Sequence, residues 1–162
     1  MDTAQNITRR AIDAALDTIA AGDADCIVLR PDCEPLHGQG RGIRPLLQLL
    51  ENDPAALQGA VLTDKIIGKA AAMVAVLGGV AGVHALTAST AGLAFLTARG
   101  IPADARTTVP HIINRTGDGI CPLEQTVQTV EDPAEALPLL KATIARLMAA
   151  NAAKQDKAGS KD

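Results

Sequence analysis

The sequence predicts an α/β domain of three layers, in which a central mixed sheet carries helices on both faces. Two observations lead to this fold class. Apolar runs of strand length alternate with segments in which apolar residues recur at helical spacing, as is typical of a sheet covered by helices. The length of 162 residues also suits one domain with one buried core. We therefore predict a single domain over residues 1–153.

The first part of the chain contributes a helix, two strands and a second helix. Apolar residues recur at helical spacing over 5–21, and Gly22 marks the end of that helix. A buried strand is predicted at 26–29, and a weaker strand follows at about 35–39. The second helix is predicted at 45–52, because a proline suits its first position.

The rest of the chain alternates strands with helices. Ser89 and Thr90 are predicted to cap one of these helices. A polar tail at 154–162 is predicted to be disordered, since it offers too little apolar surface to pack. The predicted strands are 59–63, 80–88 and 105–113, and the predicted helices are 65–77, 90–99, one opened by Pro122 and one from Asp132 to about Ala153.

Composition argues against nucleic acid as a partner. Phe95 is the single aromatic residue, so the core must consist of aliphatic side chains and no stacking platform for bases is available. The net charge of -3 offers no basic surface for a phosphate backbone.

A cytoplasmic location without a membrane partner is predicted. No apolar run reaches the ~18 residues that a membrane-spanning helix needs. The N-terminus lacks the basic and then apolar pattern of a secretory signal. Three cysteines without a paired framework fit a reducing compartment.

The stretch V-L-T-D-K-I-I-G-K-A-A-A at 61–72 breaks local rules if its helix begins at Lys65. Lys65 and Lys69 would then share one helix face and repel each other. Each would also oppose the helix dipole at a cost of ~0.3–1 kcal/mol. Gly68 would cost roughly 1 kcal/mol relative to alanine. Violations of this kind collect at functional sites.

This stretch therefore predicts an anion site at a helix entrance, with Thr63 or Asp64 as the cap. Ligands of open α/β sheets bind where a strand ends and a helix begins, and backbone N–H groups there favour anions. Asp64, Lys65, Gly68 and Lys69 are the candidate residues. The alternative is that both lysines are solvated and that Gly68 packs against another helix.

The segment H-G-Q-G-R-G-I-R predicts a second helix entrance. Arg41 and Arg44 flank its turn. The spacing is neither a dinucleotide fingerprint nor a Walker A loop. The segment is either a second anion-facing loop or a flexible turn.

The segment I-I-N-R-T-G-D-G-I-C-P-L-E-Q is the densest polar stretch of the chain. Pro122 suits the first position of a helix, which makes Cys121 the N-cap and places Glu124 for a capping box. A thiol at a helix N-terminus can become reactive. The alternative is that Cys121 is a small cap and Glu124 a device of its own helix. The candidate ligand-binding residues of this segment are Asn114, Arg115, Asp118 and Glu124.

No metal or other cofactor is predicted. Cys33 and His37 share a C-x3-H spacing, but His84, His111 and Cys121 are scattered and no zinc-binding pattern occurs. The nucleophile elbow of serine hydrolases is also missing.

Three blocks of the sequence resemble the bacterial family known as domain of unknown function 1893. The blocks are G-I-R-P-L-L, G-A-V-L-T-D-K-I-I-G-K-A-A-A and V-P-H-I-I-N-R-T-G-D-G-I-C-P-L-E, and the likeness covers roughly residues 24–147. The resemblance implies a cytidine deaminase-like fold with a mixed sheet between helices. It is also consistent with a homo-oligomer, although the sequence indicates no interface.

The resemblance does not extend to the zinc chemistry of deaminases. Zinc deaminases open two helices with H-x-E or C-x-E and with P-C-x-x-C. By order of elements, this chain has G-R-G-I-R-P and T-D-K-I-I-G-K there, without a zinc ligand or a catalytic glutamate. The resemblance thus implies a refitted, metal-free pocket. The residues that stand where metal ligands and their neighbours stood are Arg41, Arg44, Asp64, Lys65 and Lys69.

Three functions follow as hypotheses. The favoured one is a metal-free pocket at helix N-termini that binds a small anionic molecule, such as a nucleotide or a phosphorylated metabolite. The second is an enzyme that uses Cys121 or Lys65 covalently, in acyl or sulfur transfer. The third is a non-catalytic interaction module, because Ala-rich helices suit close helix contacts.

Overall fold

The computed structural model describes residues 7–159, which form five strands and six α-helices. The strands are β1 (Cys26–Leu29), β2 (Leu36–Gly38), β3 (Val61–Ile67), β4 (Gly82–Ser89) and β5 (Ala103–Val109). The helices are α1 (Arg9–Ala20), α2 (Arg44–Asn52), α3 (Lys69–Gly78), α4 (Thr90–Ala98), α5 (Pro122–Val127) and α6 (Pro133–Gly159), with a 3-10 turn at Pro54–Ala56.

The five strands form one mixed sheet in the order β2-β1-β3-β4-β5. β1 is antiparallel to both β2 and β3, whereas β3, β4 and β5 are parallel. A short turn can join the antiparallel pair, while the parallel strands need the crossover helices α3 and α4. The predicted mixed sheet is confirmed.

Helices cover both faces of the sheet, as predicted. On one face, α1 packs Ile12, Leu16 and Ile19 against residues of β1 and β3 such as Ile27 and Val61. The other face carries α2, α3 and α4. Helices α5 and α6 then pack on the outer side of α3, so that α3 lies between the sheet and a further layer.

Small residues let these layers approach closely without aromatic side chains. Residues 70–75 of α3 are all buried, and four of them are alanine. Gly92 in the first turn of α4 faces the backbone of Gly68. A Cβ on Gly92 would lie 2.9 Å from the carbonyl carbon of Gly68. The junction of β3 with α3 is therefore fixed by backbone-to-backbone packing.

The boundary between β3 and α3 differs from the prediction, in which a helix began at residue 65. β3 continues to Ile67 because Ile66 and Ile67 pair with Thr87 and Ala88 of β4. Lys65 therefore lies on a strand, and Gly68 is the N-cap of α3. The expectation that Lys65 and Lys69 share one helix face is wrong, since pairing with a neighbouring strand outweighs a local preference of under about 1 kcal/mol.

Several other boundaries match or differ by a few residues. The Ser89 hydroxyl accepts a hydrogen bond from the Gly92 N–H at 3.0 Å, which confirms the predicted cap of α4. β5 ends at Val109, before a proline, instead of at residue 113. α6 continues to Gly159, past the start of the predicted tail at residue 154, because Ala, Lys and Gln favour helix. Residues 1–6 and 160–162 lie outside the described range.

Candidate functional site

An open cleft of about 900 Å³ lies where β3 ends. Its walls come from the start of β1, the loop before α2, the end of β3, residues 112–124 and one face of α6. The structure thus brings the three segments singled out in the sequence to one place. The predicted site residues that line the cleft are Arg41, Arg44, Asp64, Lys65, Gly68, Asn114, Arg115, Cys121 and Glu124.

Glu124 occupies the N-terminus of α3. Its carboxylate accepts hydrogen bonds from the backbone N–H groups of Lys69, at 2.6 Å, and Ala70, at 2.8 Å. The anion that the helix entrance favours is therefore a side chain of the protein itself. The predicted capping box is wrong, because this carboxylate leaves its own helix α5 and caps α3 instead.

Gly68 makes room for this carboxylate. A Cβ at position 68 would lie 2.0 Å from Oε1 and 2.4 Å from Cδ of Glu124, far inside van der Waals contact. The backbone of Gly68 is extended, with φ -102° and ψ -172°, so its conformation alone does not require glycine. The glycine is required by the close approach of Glu124.

Lys69 points away from the cleft. Its ammonium group lies 2.9 Å from the Glu131 carboxylate and donates to the Gln128 carbonyl at 3.4 Å. The side chain is only 12% exposed. The Lys69 ammonium lowers the pKa of the Glu131 carboxyl by hydrogen bonding and by its charge. The structure thus places Lys69 in the packing between α3 and the segment that joins α5 to α6.

Five cationic side chains line the cleft, four of them in the segments singled out in the sequence and the fifth, Lys154, on α6. Arg41, Lys65 and Arg115 are exposed and Arg44 is half-buried. Within the part of the chain that the structure describes, none of the four forms an ion pair. Arg9, Lys69, Arg106 and Lys141, by contrast, each contact a carboxylate. We call Arg41, Arg44, Lys65 and Arg115 the cationic rim.

Asp64 is the most deeply buried ionisable residue of the cleft, with 7% of its surface exposed. Burial raises the pKa of its carboxyl to about 8, against the lowering effect of the Ile66 and Lys65 backbone amides. The charge of Asp25 raises it further. Near pH 7 the carboxyl is therefore mostly protonated, so it adds little negative charge to the cleft.

Asp25 immediately precedes β1 and also lines the cleft. One of its carboxylate oxygens, Oδ2, accepts the Gly40 N–H at 2.9 Å and holds the glycine-rich loop against the sheet. The Lys65 N–H donates to the Asp25 carbonyl at 3.1 Å, which aligns the two chain segments.

The three cysteines lie in different environments. Cys121 is half-buried, lines the cleft and is the N-cap of α5, as predicted, although its thiol makes no capping hydrogen bond. Cys26 is buried, and burial together with the charge of Asp64 raises the pKa of its thiol to about 12. Cys33 is exposed. Cys121 is thus the one thiol among the described residues that lines the cleft.

The loop after β5 is braced by its own side chains. The Asn114 amide donates to Asp118 Oδ1 at 3.0 Å, and the Asp118 N–H donates to Asn114 Oδ1 at 3.2 Å. The Thr116 hydroxyl also donates to Asp118 and, with Asn114, lowers the pKa of that carboxyl. Asn114 and Thr116 line the cleft, whereas Asp118 supports the loop from outside it.

Sequence reasoning missed the contribution of α6 to the cleft. The residues involved are Ile144, Leu147, Asn151 and Lys154. Their spacing of three and four places them on one face of a helix, which was a visible signal. Nothing local indicated that this face turns towards the end of β3.

Metal-binding groups are not assembled in the described structure. Among residues 7–155, no three His, Cys, Asp or Glu side chains are arranged to hold an ion. His84 instead contacts Asp104, with 2.7 Å between Nδ1 and Oδ1. Of the described helices, none combines the length and the apolar character needed to cross a membrane.

The fold and the cleft define a class of protein: a mixed-sheet α/β domain whose cleft opens where a central strand ends. Residues 14–144 match the model of the TM1506 family, described as domain of unknown function (DUF1893). The chain therefore belongs to the DUF1893 family.

A solved structure and the curated proteins give two further findings. The crystal structure of a DUF1893 family protein from Thermotoga maritima is similar to this chain, with a TM-score of 0.74 and 21% identity. The match covers 84% of this chain and 91% of that chain, and it shows a shared fold. Among curated proteins, none matches the chain at a significant level.

Proposed function

We propose that this protein binds a small anionic molecule in the cleft, such as a nucleotide or a phosphorylated metabolite, without the help of a metal ion. The observation that carries the proposal is the cationic rim, whose four side chains face the cleft without a carboxylate partner among the described residues. Uncompensated cations around a concave surface attract anionic ligands and raise their rate of association.

The charge of the cleft near pH 7 supports this proposal. Two of its carboxyl groups contribute little free negative charge: Asp64 is mostly protonated, and Glu124 is bound to two backbone amides of α3. The volume of about 900 Å³ falls within the range of roughly 300–1,000 Å³ that small-molecule sites occupy. The cleft can thus hold a molecule larger than a single phosphate.

The ligand's anionic group belongs at the cationic rim. The N-terminus of α3, the place expected from sequence, is filled by Glu124. Guanidinium groups bind phosphate and carboxylate oxygens through paired hydrogen bonds, so Arg41 and Arg44 are the main contacts in this proposal. Lys65 on β3 and Arg115 in the loop after β5 add charge from other segments that line the cleft.

A cytidine deaminase-like fold is also part of the proposal. The family resemblance suggests it, and the mixed sheet between helices, with its cleft at the end of β3, supports it. Zinc-dependent deamination is not proposed, because the starts of α2 and α3 offer arginines, lysines and glycines instead of zinc ligands. The location in the bacterial cytoplasm stays a prediction from the sequence.

Isothermal titration calorimetry with matched anionic and neutral compounds tests the proposal. The panel pairs nucleoside monophosphates with nucleosides, and sugar phosphates with sugars. We expect binding of at least one phosphorylated member, weakening as salt rises. The double variant Arg41→Ala/Arg44→Ala should lose about tenfold or more in affinity, since each charge-assisted contact contributes roughly 1.5–3 kcal/mol.

A matched control separates the rim from general charge effects. Arg10 is exposed on α1, on the opposite face of the sheet, so Arg10→Ala should leave binding unchanged. If no phosphorylated compound binds more tightly than its neutral partner, the proposal is wrong. Equal losses in the rim and control variants would also contradict it.

A covalent step at Cys121 or Lys65 is a second candidate function. The observation in its favour is that both side chains line the same cleft. Iodoacetamide labelling followed by mass spectrometry tests the cysteine. A catalytic Cys121 should react faster than the exposed Cys33, although Cys121 is half-buried. Slower labelling of Cys121 than of Cys33 would argue against this function.

A further inference from the structure

We propose that the ligand of the cleft is an aliphatic phosphate: a phosphate group held by the cationic rim, joined to an alkyl or acyl chain that lies on an apolar wall of the same cleft. This inference rests on the proposed function and adds the chemical class of the ligand. It assigns a role to the apolar residues of the cleft, which the binding of an anion alone does not use.

The first step is the exposure of two isoleucines in the cleft. Ile66, near the end of β3, is 45% exposed, and Ile113, in the loop after β5, is 55% exposed. Both line the cleft. Among residues 7–155, the other large apolar side chains that are similarly exposed are Leu139 and Met148, which lie on α6 outside the cleft. Exposed apolar side chains that gather in one concavity are typical of a binding surface.

The second step is the continuation of this surface onto neighbouring segments. Ile144 and Leu147 are three residues apart on α6 and therefore share one face of that helix. The half-buried large apolar side chains of the cleft come from the loop after β5, from α5 and from α6, and they are Ile112, Leu123, Ile144 and Leu147. Together with Ile66 and Ile113 they form what we call the apolar wall.

The third step is the position of the apolar wall relative to the cationic rim. Lys65 directly precedes Ile66 on β3, and Arg115 follows Ile113 by two residues. Each exposed isoleucine is thus a close neighbour of a rim cation along the chain. A phosphate bound by these cations would place its substituent beside the isoleucines, whereas inorganic phosphate would leave the apolar wall in water. A ligand with one anionic end and one apolar end matches both surfaces.

The fourth step concerns the kind of apolar group. The apolar wall is aliphatic, and Phe95, the single aromatic residue of the chain, is buried in α4 and does not line the cleft. A nucleobase would therefore find no aromatic face on which to stack. An alkyl or acyl chain needs no oriented partner, because its burial is favourable roughly in proportion to its apolar area. The volume of about 900 Å³ accommodates a phosphate with a chain of several carbons.

Calorimetry with n-alkyl phosphates of increasing length tests the inference. Ethyl, butyl and hexyl phosphate carry the same anionic group and differ only in their number of methylenes. We expect the affinity of the full-length protein to rise about two- to fourfold with each added methylene, so that hexyl phosphate binds about fifteenfold or more tightly than ethyl phosphate. Hexanol, which has the chain without the charge, should bind at least about tenfold more weakly than hexyl phosphate.

A double variant of the two exposed isoleucines separates the apolar wall from the rim. Threonine suits the extended backbone at both positions, so Ile66→Thr/Ile113→Thr should fold normally. The affinity ratio between hexyl and ethyl phosphate should fall to about fivefold or less, while the affinity for ethyl phosphate stays unchanged. Leu139 is as exposed as Ile66 but lies outside the cleft, so the control Leu139→Gln should keep the full ratio.

The outcomes distinguish this inference from the proposed function. If ethyl and hexyl phosphate bind equally, or if the double variant keeps the full ratio, the inference is overturned while anion binding stands. If hexanol binds as tightly as hexyl phosphate, the rim contributes nothing and both proposals fail. If no alkyl phosphate binds, the inference is overturned, and the nucleotides and sugar phosphates decide the proposed function separately.

Sedimentation velocity tests a different occupant of the apolar wall, a second copy of this chain. We expect the unmodified protein and the double variant to sediment alike. A dimer that the double variant dissociates, together with affinities that do not depend on chain length, would assign the apolar wall to self-association and overturn the inference.

Discussion

Gly68→Ala isolates the contact between Gly68 and Glu124. Considered by its backbone alone, the change should stabilise the protein by ~0.4–1 kcal/mol, because the extended conformation suits alanine and the unfolded chain loses freedom. The new Cβ, however, would lie 2.0 Å from Glu124 Oε1. Because the carboxylate is the far end of a flexible side chain, it can move away, but it then leaves the two N–H groups of α3.

The magnitude follows from those two hydrogen bonds. Each links a carboxylate to a half-buried backbone N–H, at 2.6 and 2.8 Å, and its loss costs about 1–2 kcal/mol. Two such losses, less the gain from the unfolded state, leave a net loss of about 1–3.5 kcal/mol. For a chain of this length, the melting temperature should fall by roughly 5 °C.

A double-mutant cycle distinguishes this explanation from general damage to α3. In a Glu124→Ala background the carboxylate is already absent, so Gly68→Ala should be neutral or mildly stabilising. The sign of the effect thus reverses between the two backgrounds. Urea denaturation followed by far-UV circular dichroism measures all four proteins, because the chain lacks tryptophan. An equal loss in both backgrounds, or a gain in the unmodified one, would refute the reasoning.

Two predictions concern pH. The folded pKa of Asp64 is about 8, above its usual value of 3.8, so the folded state binds the extra proton between these values and stability falls as pH rises from about 4 to 8. Asp64→Asn should remove that fall in urea titrations; an unchanged pH dependence would contradict the raised pKa. For Asp104, partial burial raises the pKa, but the contacts with His84 and Arg9 outweigh it and lower the pKa overall. The stabilisation from the ionised Asp104 carboxyl is therefore present above the pKa that this group has in the unfolded chain. It is lost as the pH falls through the lower pKa of the folded state. Asp104→Asn should flatten the acid limb of the stability profile, and the same acid limb in both proteins would argue against this role.

Much of the fold could be predicted from the amphipathic patterns of the sequence. Helix α1 and strand β1 were found because their apolar residues follow the periods of helix and strand. The cap at Ser89 and the start of α2 were found because serine and proline act on the adjacent turn. All of these signals operate within a few residues.

The candidate site was only partly predictable. The segments around Arg41, Lys65 and Arg115 were recognised by glycines and charged residues that are unusual at a helix entrance, and the structure brings them to one cleft. Asp25 and the face of α6 gave no comparable signal. The role expected for Lys69 assumed that a helix begins at residue 65, whereas β3 continues to Ile67 and α3 begins at Lys69.

By itself, the sequence determined a mixed α/β domain with an aliphatic core, and it showed that residues 65–69 break the local preferences of a helix start. Only the tertiary structure decided why the rules are broken there. β3 is extended by pairing with β4, and the helix entrance is occupied by a carboxylate that lies 55 residues further along the chain than Lys69. Local preferences between helix and strand amount to less than about 1 kcal/mol per residue, so such non-local hydrogen bonds decide the outcome.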